Sequence, residues 1–133
     1  MKPVFADTSY FIALLSPADT RHVKAVEWSE SWSGHQVVTE YVLVDLGSAL
    51  SRGRDRLLFA PIVRHLLADS DTLCIPASRS LFQRGLVLFD ARSDKNWSLT
   101  DCISFAVMKQ RRIIEALTTD QHFEQAGFTA LLK

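Results

Sequence analysis

Four aspartates stand at points of the sequence where a carboxylate can take part in chemistry. They are Asp7, Asp45, Asp101 and Asp120. Asp7 follows the short apolar segment 4–6 and precedes the apolar segment 10–15, so we expect it where a buried strand gives way to a buried helix. Open α/β sheets place their functional groups at such points, just beyond the carboxyl ends of the strands. A lone Asp there more often only caps the helix, so Asp7 needs companions to indicate function.

Asp45 differs from the other three because it lies inside a helix predicted from residue 39 to 52. On that helix it falls at the margin of the apolar stripe, three residues after Val42 and four before Ala49. An acid in that position needs a partner, because burying an unpaired charge is strongly unfavourable. Glu40 competes for the same role, but its place in the first turn suits interaction with the helix N-terminus. We therefore rank Asp45 above Glu40.

Asp101 and Asp120 each have a structural alternative as well. The sequence Ser98-Leu99-Thr100-Asp101 is typical of a capping box, and Asp in Thr-Thr-Asp-Gln is an ordinary turn residue. The functional argument is joint, because several carboxylates at one end of a sheet repel one another unless a cation lies among them. Oxygen-only ligands without His or Cys favour Mg²⁺ or Mn²⁺, which assist phosphodiester cleavage.

Other polar residues offer weaker signals. The histidines show no metal-binding spacing, and we assign none of them a catalytic role: His22, His35, His65 and His122. Seven basic residues are candidates for phosphate contacts or plain surface: Arg52, Arg54, Arg56, Lys95, Lys109, Arg111 and Arg112.

The elements that must position the acids alternate between strand and helix. Strands are predicted at 4–6, 36–39, 73–76, 113–117 and 128–132. Helices are predicted at 10–15, 20–32, 39–52, 57–68, 80–89 and 98–110. Each crossover between parallel strands needs a helix to return the chain, so this alternation implies a parallel sheet covered on both faces. We predict an α/β fold, a three-layer α/β/α sandwich with a mostly parallel sheet of four to five strands.

Composition limits the possibilities further. The 133 residues fit one domain spanning 1–133, and 47% hydrophobic content indicates a globular protein. The 15 basic and 15 acidic side chains cancel, so a nucleic-acid partner must be held by a local patch. The two cysteines, Cys74 and Cys102, suit a reduced core, and we see neither a signal peptide nor a membrane span. We expect a soluble, cytoplasmic protein.

Four ordered segments resemble the PIN-domain ribonucleases, and within them the toxin-like, VapC-type single-domain members. The segments are Asp7-Thr8-Ser9 with its apolar helix, Thr39 to Leu46, Trp97 to Asp101, and Leu117 to Asp120 leading into His122-Phe123 and Gly127-Phe128. Together they span nearly the whole chain, and their order makes a fairly specific signature.

The resemblance implies a PIN-like α/β/α sandwich that cleaves RNA with Mg²⁺ or Mn²⁺ held by an acidic cluster. That cluster maps onto Asp7, Asp45, Asp101 and Asp120. The family usually has Glu in the second segment, and Asp45 is one methylene shorter. Direct metal contact, contact through water, and replacement by Glu40 therefore all stay open. The resemblance also implies a homodimer and a small antitoxin that inserts a segment, with an Arg, among the carboxylates.

Two other functions fit parts of the pattern. The shorter Asp45 motivates a non-catalytic PIN-like module that binds RNA or a partner protein. A phospho-acceptor receiver of flavodoxin-like topology fits the alternation of strands and helices, but it lacks the expected acid at the third strand, where Ile75 to Ser78 stands. One surface question also stays open, since Phe59, Ile62 and Leu66 can face either a core or a second copy.

Overall fold

The computed structural model describes residues 2–133, which form a parallel sheet flanked by helices. The strands are β1 (Val4–Ala6), β2 (Gln36–Thr39), β3 (Thr72–Ile75), β4 (Glu115–Leu117) and β5 (Thr129–Ala130). The helices are α1 (Thr8–Leu15), α2 (His22–Ser31), α3 (Glu40–Ala49), α4 (Arg56–Ala68), α5 (Arg79–Ala91), α6 (Leu99–Arg111) and α7 (Gln121–Gln125), with a short 3-10 turn at Gly53–Asp55. The predicted α/β fold is confirmed.

The sheet order places β1 at the centre, between strands from the two halves of the chain. The order is β3-β2-β1-β4-β5, and every neighbouring pair is parallel. The chain runs outward from β1 through β2 to β3 and then returns to the other side of β1. The strand order therefore reverses between β1 and β4, and functional sites of open parallel sheets lie at such a switch point.

Register fixes what stands at that point. Ala6 is opposite Leu117, and the backbone N–H of Asp7 donates to the Leu117 carbonyl at 3.1 Å. The residues that follow the two strands, Asp7 and Thr118, are thus brought to the same edge of the sheet. Both strands are almost wholly buried, which suits their short apolar sequences.

Helix α6 packs closely against α5, and a glycine permits the contact. A Cβ at Gly85 would lie 3.2 Å from the backbone nitrogen of Ile103, as well as against the Ile103 side chain. Helix α6 contributes a row of buried residues to the core, among them Phe105 and Met108. This packing fixes the N-terminus of α6, where Asp101 lies.

The largest departure from the predicted elements is α7, which we did not predict. Its five residues are a weak periodic signal, and the helix forms behind the Asp120 cap. Strand β4 begins at Glu115 rather than at 113, because Ile113 N–H donates to the Met108 carbonyl and closes α6. Strand β5 is limited to residues 129–130, which pair in register with Glu115 and Ala116, although Leu131 N also donates to the Ala116 carbonyl at 2.9 Å.

Three apolar residues of α4 face the core, whereas Leu57 and Leu67 of the same helix are exposed. Leu66 is buried, while Phe59 and Ile62 are partly buried and pack against the core cluster. The question left open by the sequence is therefore answered in favour of the core.

Within residues 2–133, no helix has the length and apolar character that crossing a membrane requires.

Candidate active site

Asp7 is buried at the start of α1 and uses one carboxylate oxygen to hold the local structure. Its Oδ2 accepts hydrogen bonds from Ser9 Oγ at 2.9 Å, Ser9 N at 3.4 Å and Thr118 Oγ1 at 2.9 Å. Among the described residues 2–133, no donor is bonded to Oδ1. The helix-capping role considered from the sequence is confirmed, and it occupies only one of the two oxygens.

Hydroxyl groups tie the ends of β1 and β4 together around Asp7. Thr118 is fully buried, and its Oγ1 accepts from Asp120 N at 3.0 Å. Ser9 Oγ accepts from Thr119 N at 3.0 Å and lies 3.1 Å from Thr118 Oγ1. These bonds link the Asp7 turn to the Asp120 turn, so the two carboxylates are positioned by one network.

Asp101 forms the predicted capping box at the start of α6. Asp101 N donates to Ser98 Oγ at 2.9 Å, and Asp101 Oδ2 accepts from Ser98 N at 3.1 Å. The same Oδ2 lies 3.1 Å from His122 Nδ1. Oδ1 has no hydrogen-bond donor within the described part of the chain. Asp101 thus resembles Asp7 in combining a structural bond with a free oxygen.

Asp120 caps α7 and completes the group. Its Oδ1 accepts from His122 N at 2.9 Å and lies 3.3 Å from His122 Nδ1. Asp101, Asp120 and His122 each offer one ligand atom, and these atoms lie within 4.8 Å of one another. Asp7 is not part of this group of three, but the Thr118 and Ser9 hydrogen bonds link it to the Asp120 turn, and the charge of Asp101 acts on it. The β1–β4 switch point therefore carries Asp7, Asp101 and Asp120.

His122 is the residue of this cluster to which the sequence analysis gave no role. Its Nδ1 lies 3.1 Å from Asp101 Oδ2 and 3.3 Å from Asp120 Oδ1, so one ring nitrogen contacts both carboxylates. The contact with Asp101 crosses 21 positions of sequence, so no local His spacing could reveal it. The available signal was its place two residues after Asp120, at the end of a strand.

Electrostatics explain why these acids are unusual. Burial raises the pKa of Asp7 to about 6; hydrogen bonds from Thr118 and Ser9 oppose the rise, and the charge of Asp101 adds to it. Burial also raises the pKa of Asp101, opposed by the Ser98 N–H and reinforced by the charge of Asp120. Both shifts express the cost of holding negative charges close together away from water, a cost that a bound cation removes.

Asp45 and Glu40 lie outside this group. Asp45 is exposed, so the expectation that it sits off the solvated face of α3 is wrong. Its Oδ2 accepts from Thr8 Oγ1 at 2.9 Å, which places it beside the residue that follows Asp7. Glu40 begins α3, so its charge lies in the first turn as expected, and its Oε1 also accepts from Ala77 N at 2.6 Å in the loop after β3.

The donor chemistry of the cluster fits a divalent cation. Asp7, Asp101 and Asp120 each keep one carboxylate oxygen free of hydrogen bonds within residues 2–133. Hard oxygen ligands of this kind suit Mg²⁺ or Mn²⁺.

Ligands of open parallel α/β folds bind where the strand order reverses, and in this chain that point carries acidic side chains. The chain belongs to the PIN domain family, whose sequence model matches residues 4–129. No protein of curated function matches the sequence significantly.

Solved structures show the same fold. VapC20 from Mycobacterium tuberculosis, described as a sarcin-ricin loop cleaving toxin, is similar at 24% identity with a TM-score of 0.86, over 94% of this chain and 95% of that one. A toxin-antitoxin complex from Klebsiella pneumoniae is similar at 19% identity with a TM-score of 0.62, over 89% of this chain and 87% of that one. FitAcB from Neisseria gonorrhoeae is similar at 15% identity with a TM-score of 0.60, over 96% of this chain and 94% of that one.

Proposed function

We propose that this protein is an endoribonuclease that depends on Mg²⁺ or Mn²⁺ and acts in the cytoplasm as the toxin of a toxin-antitoxin pair. One observation carries the proposal: the ligand atoms of Asp101 and Asp120 lie within 4.8 Å of one another and of His122, and the hydrogen bonds of Thr118 link Asp7 to the same turn. Membership of the PIN domain family and the toxin folds of its structural neighbours support the same activity.

The residues of the site have distinct roles in this proposal. Asp7, Asp101 and Asp120 would hold the cation, with Asp45 at the margin of the site. When bound, such a cation supplies an activated water and neutralises charge that develops on the phosphate.

Thr118 and His122 are positioning residues. Thr118 and Ser9 fix the rotamer of Asp7 through its Oδ2, so that the free Oδ1 stays directed away from the capping bonds. His122 Nδ1 holds Asp101 and Asp120 together in the absence of a cation.

The RNA to test first follows from a structural neighbour. Because one similar fold belongs to a toxin described as cleaving the sarcin-ricin loop, we take ribosomal RNA containing this loop as the first substrate. Single-stranded RNA of mixed sequence serves as the comparison, since the fold alone does not specify a sequence.

An antitoxin is the expected partner. Burial and the nearby negative charges raise the pKa of Asp7 and of Asp101, so a cationic side chain placed among these carboxylates would stabilise their charged forms. We propose that an antitoxin segment places an Arg among them and so excludes both the metal and RNA.

We also propose that the protein forms a homodimer through α5. Phe82, Leu86 and Phe89 recur along one stripe of this helix and are 44%, 45% and 47% exposed. A second copy would cover this stripe. Leu86→Glu should convert a dimer to a monomer in analytical ultracentrifugation; a wild-type protein that sediments as a monomer at all concentrations contradicts this part of the proposal.

The test of the activity is RNA cleavage by purified protein with Mn²⁺ or Mg²⁺, compared with EDTA. Asp7→Asn is the site variant, and Asp55→Asn is the matched control, because Asp55 is exposed in the 3-10 turn. We expect cleavage by wild type and by the control, only with metal, and none by Asp7→Asn. Cleavage that persists in Asp7→Asn contradicts the site.

A non-catalytic module predicts a different result in the same assay. Such a protein binds RNA yet never cleaves it with either metal, and the Asp7→Asn variant binds at least as well as wild type. That outcome would replace the ribonuclease proposal.

A further inference from the structure

A groove beside α6 carries positive charge in a chain whose net charge is zero. It has a volume of about 490 Å³ and lies among α5, α6, α7 and the segment that leads into β5. The residues that give it its character are three cations and three aromatic side chains: Arg84, Arg92, Lys109, Trp97, Phe105 and Phe128. No acidic residue of the described part of the chain lines it.

Two of its cations are available to a ligand. Arg84 and Lys109 are exposed, and neither forms a salt bridge within residues 2–133. Arg92 is different, because it donates two hydrogen bonds of 3.0 Å to Asp94 and lies over the Trp97 ring at 5.1 Å. The groove therefore holds two uncompensated positive charges, which favour an anionic ligand.

The aromatic side chains form a surface suited to flat, unsaturated groups. Phe105 is the centre, with the Trp97 ring at 5.1 Å edge-on and the Phe128 ring at 5.7 Å tilted. Phe128 is only half-buried, so part of its ring is open to the groove. Cations combined with an accessible aromatic ring are the elements with which proteins bind single-stranded nucleic acid.

The groove adjoins the acidic cluster. Trp97 precedes Ser98, which bonds Asp101, and Trp97 Nε1 donates to Gln125 Oε1 at 3.0 Å. Gln125 ends the same short helix that carries His122. Eight residues separate Asp101 from Lys109 on α6, which corresponds to about 12 Å along the helix. A strand with one phosphate at the cluster can therefore reach the cations of the groove.

We propose that this groove binds the substrate RNA strand next to the phosphate that is cleaved. Arg84 and Lys109 contact backbone phosphates, and Phe128 stacks on a base. The inference rests on the proposed ribonuclease function and adds to it the path that the RNA takes on one side of the site. It also explains how a chain of zero net charge holds a polyanion.

The test compares two double variants that lose the same charge. Arg84→Gln with Lys109→Gln removes the two groove cations, whereas Arg21→Gln with Arg64→Gln removes two exposed cations near α2 and on α4. Binding of a fluorescently labelled, mixed-sequence single-stranded RNA is measured by anisotropy in EDTA across a series of salt concentrations. Cleavage of the same RNA with Mn²⁺ is measured separately.

We expect the groove variant to bind RNA roughly tenfold more weakly than the control variant at low salt. The slope of log affinity against log salt is negative, and its magnitude should be smaller by about 1.4 in the groove variant than in the control variant. Each phosphate contact on a single strand contributes about 0.7 to that magnitude. Phe128→Leu should weaken binding several-fold without changing that slope, since stacking carries no charge.

Three outcomes overturn the proposal, and they separate it from the ribonuclease function. Wild type that cleaves RNA while the groove and control variants bind it equally refutes the groove alone. Wild type that neither binds nor cleaves refutes both. A groove variant that loses affinity for a poly-glutamate peptide but keeps its RNA affinity assigns the groove to an acidic protein segment instead.

Discussion

The acids at the starts of α1 and α6, Asp7 and Asp101, and the acids on α3, Asp45 and Glu40, are held in different ways. Asp7 and Asp101 are 5% and 8% exposed, and each engages one oxygen in bonds to its own turn and to a distant residue. Asp45 and Glu40 are exposed, and each accepts a single hydrogen bond. The first region is built around buried charge, while the second presents charge to solvent.

This difference indicates which carboxylates the fold holds in a fixed position before any ligand binds. A buried acid with a raised pKa is expensive to ionise, and a protein retains it where a cation or a reaction uses the charge. An exposed acid has little such cost and is free to move. We therefore propose that Asp7 and Asp101 have the principal metal-holding role, that the partly exposed Asp120 joins them through its place beside His122, and that Asp45 has a supporting role.

The largest expected effect comes from Asp101→Asn. Asn keeps an oxygen for the capping bond to Ser98 but removes the charge and one carboxylate oxygen, so the helix should remain. Cleavage with Mn²⁺ should fall about a thousandfold or more, which corresponds to roughly 4 kcal/mol of lost transition-state stabilisation. The cleavage rate of Asp101→Asn is compared with that of the Asp55→Asn control, after thermal unfolding has shown that the two variants have the same Tm. If Asp101→Asn cleaves RNA as fast as the control, the proposal that Asp101 holds the cation is contradicted.

The next effect is on the stability of the metal-free protein. The pKa of Asp7 is about 6 in the folded state against 3.8 for the unfolded chain. Its contribution to stability is therefore fully present below about pH 4 and is lost as the pH rises through about 6. A shift of two pKa units corresponds to roughly 3 kcal/mol, so Asp7→Asn should be more stable than wild type at pH 7 by up to about that amount.

The measurement is the difference in unfolding free energy between wild type and Asp7→Asn, in urea with EDTA, from pH 4 to pH 7. The difference isolates Asp7 from other acids such as Asp69, whose pKa is lowered by its hydrogen bond with Thr72. A difference that does not change with pH means that burial of Asp7 imposes no such cost.

The smallest effects should come from α3. Asp45→Asn should lower cleavage roughly tenfold, because it keeps the bond from Thr8 and removes one peripheral charge. Glu40→Gln should leave cleavage within about twofold of wild type, since its oxygen serves only Ala77 N. The measurement is the rate of RNA cleavage with Mn²⁺ by the two variants and wild type under the same conditions. If Glu40→Gln proves the more damaging, the order drawn from the sequence reverses.

Much of the fold could be predicted because local and global signals agree. Strand β1 is apolar throughout and ends at Asp7, and β2 is β-branched and ends at the Thr39 cap, so period and capping chemistry indicate the same boundaries. Helix α7 escaped prediction because five residues carry too little periodicity. Its stability comes from the Asp120 cap and the buried Phe123 rather than from its own pattern.

The candidate site was harder to predict, because its geometry depends on contacts between distant segments. The capping roles of Asp7 and Asp101 were visible in sequence and are confirmed. That capping uses only one oxygen of each was not visible, and the two roles are therefore compatible rather than exclusive. His122 could not be placed because its partner Asp101 belongs to another helix.

The central claim is that the buried acids form one cation site, and Mn²⁺ binding tests it most directly. Titration of the purified protein, followed by electron paramagnetic resonance of free Mn²⁺, is compared among wild type, Asp7→Asn, Asp101→Asn and Asp55→Asn. We expect saturable binding by wild type and Asp55→Asn, and at least tenfold weaker binding by the two site variants. Equal binding by all four proteins would contradict the account.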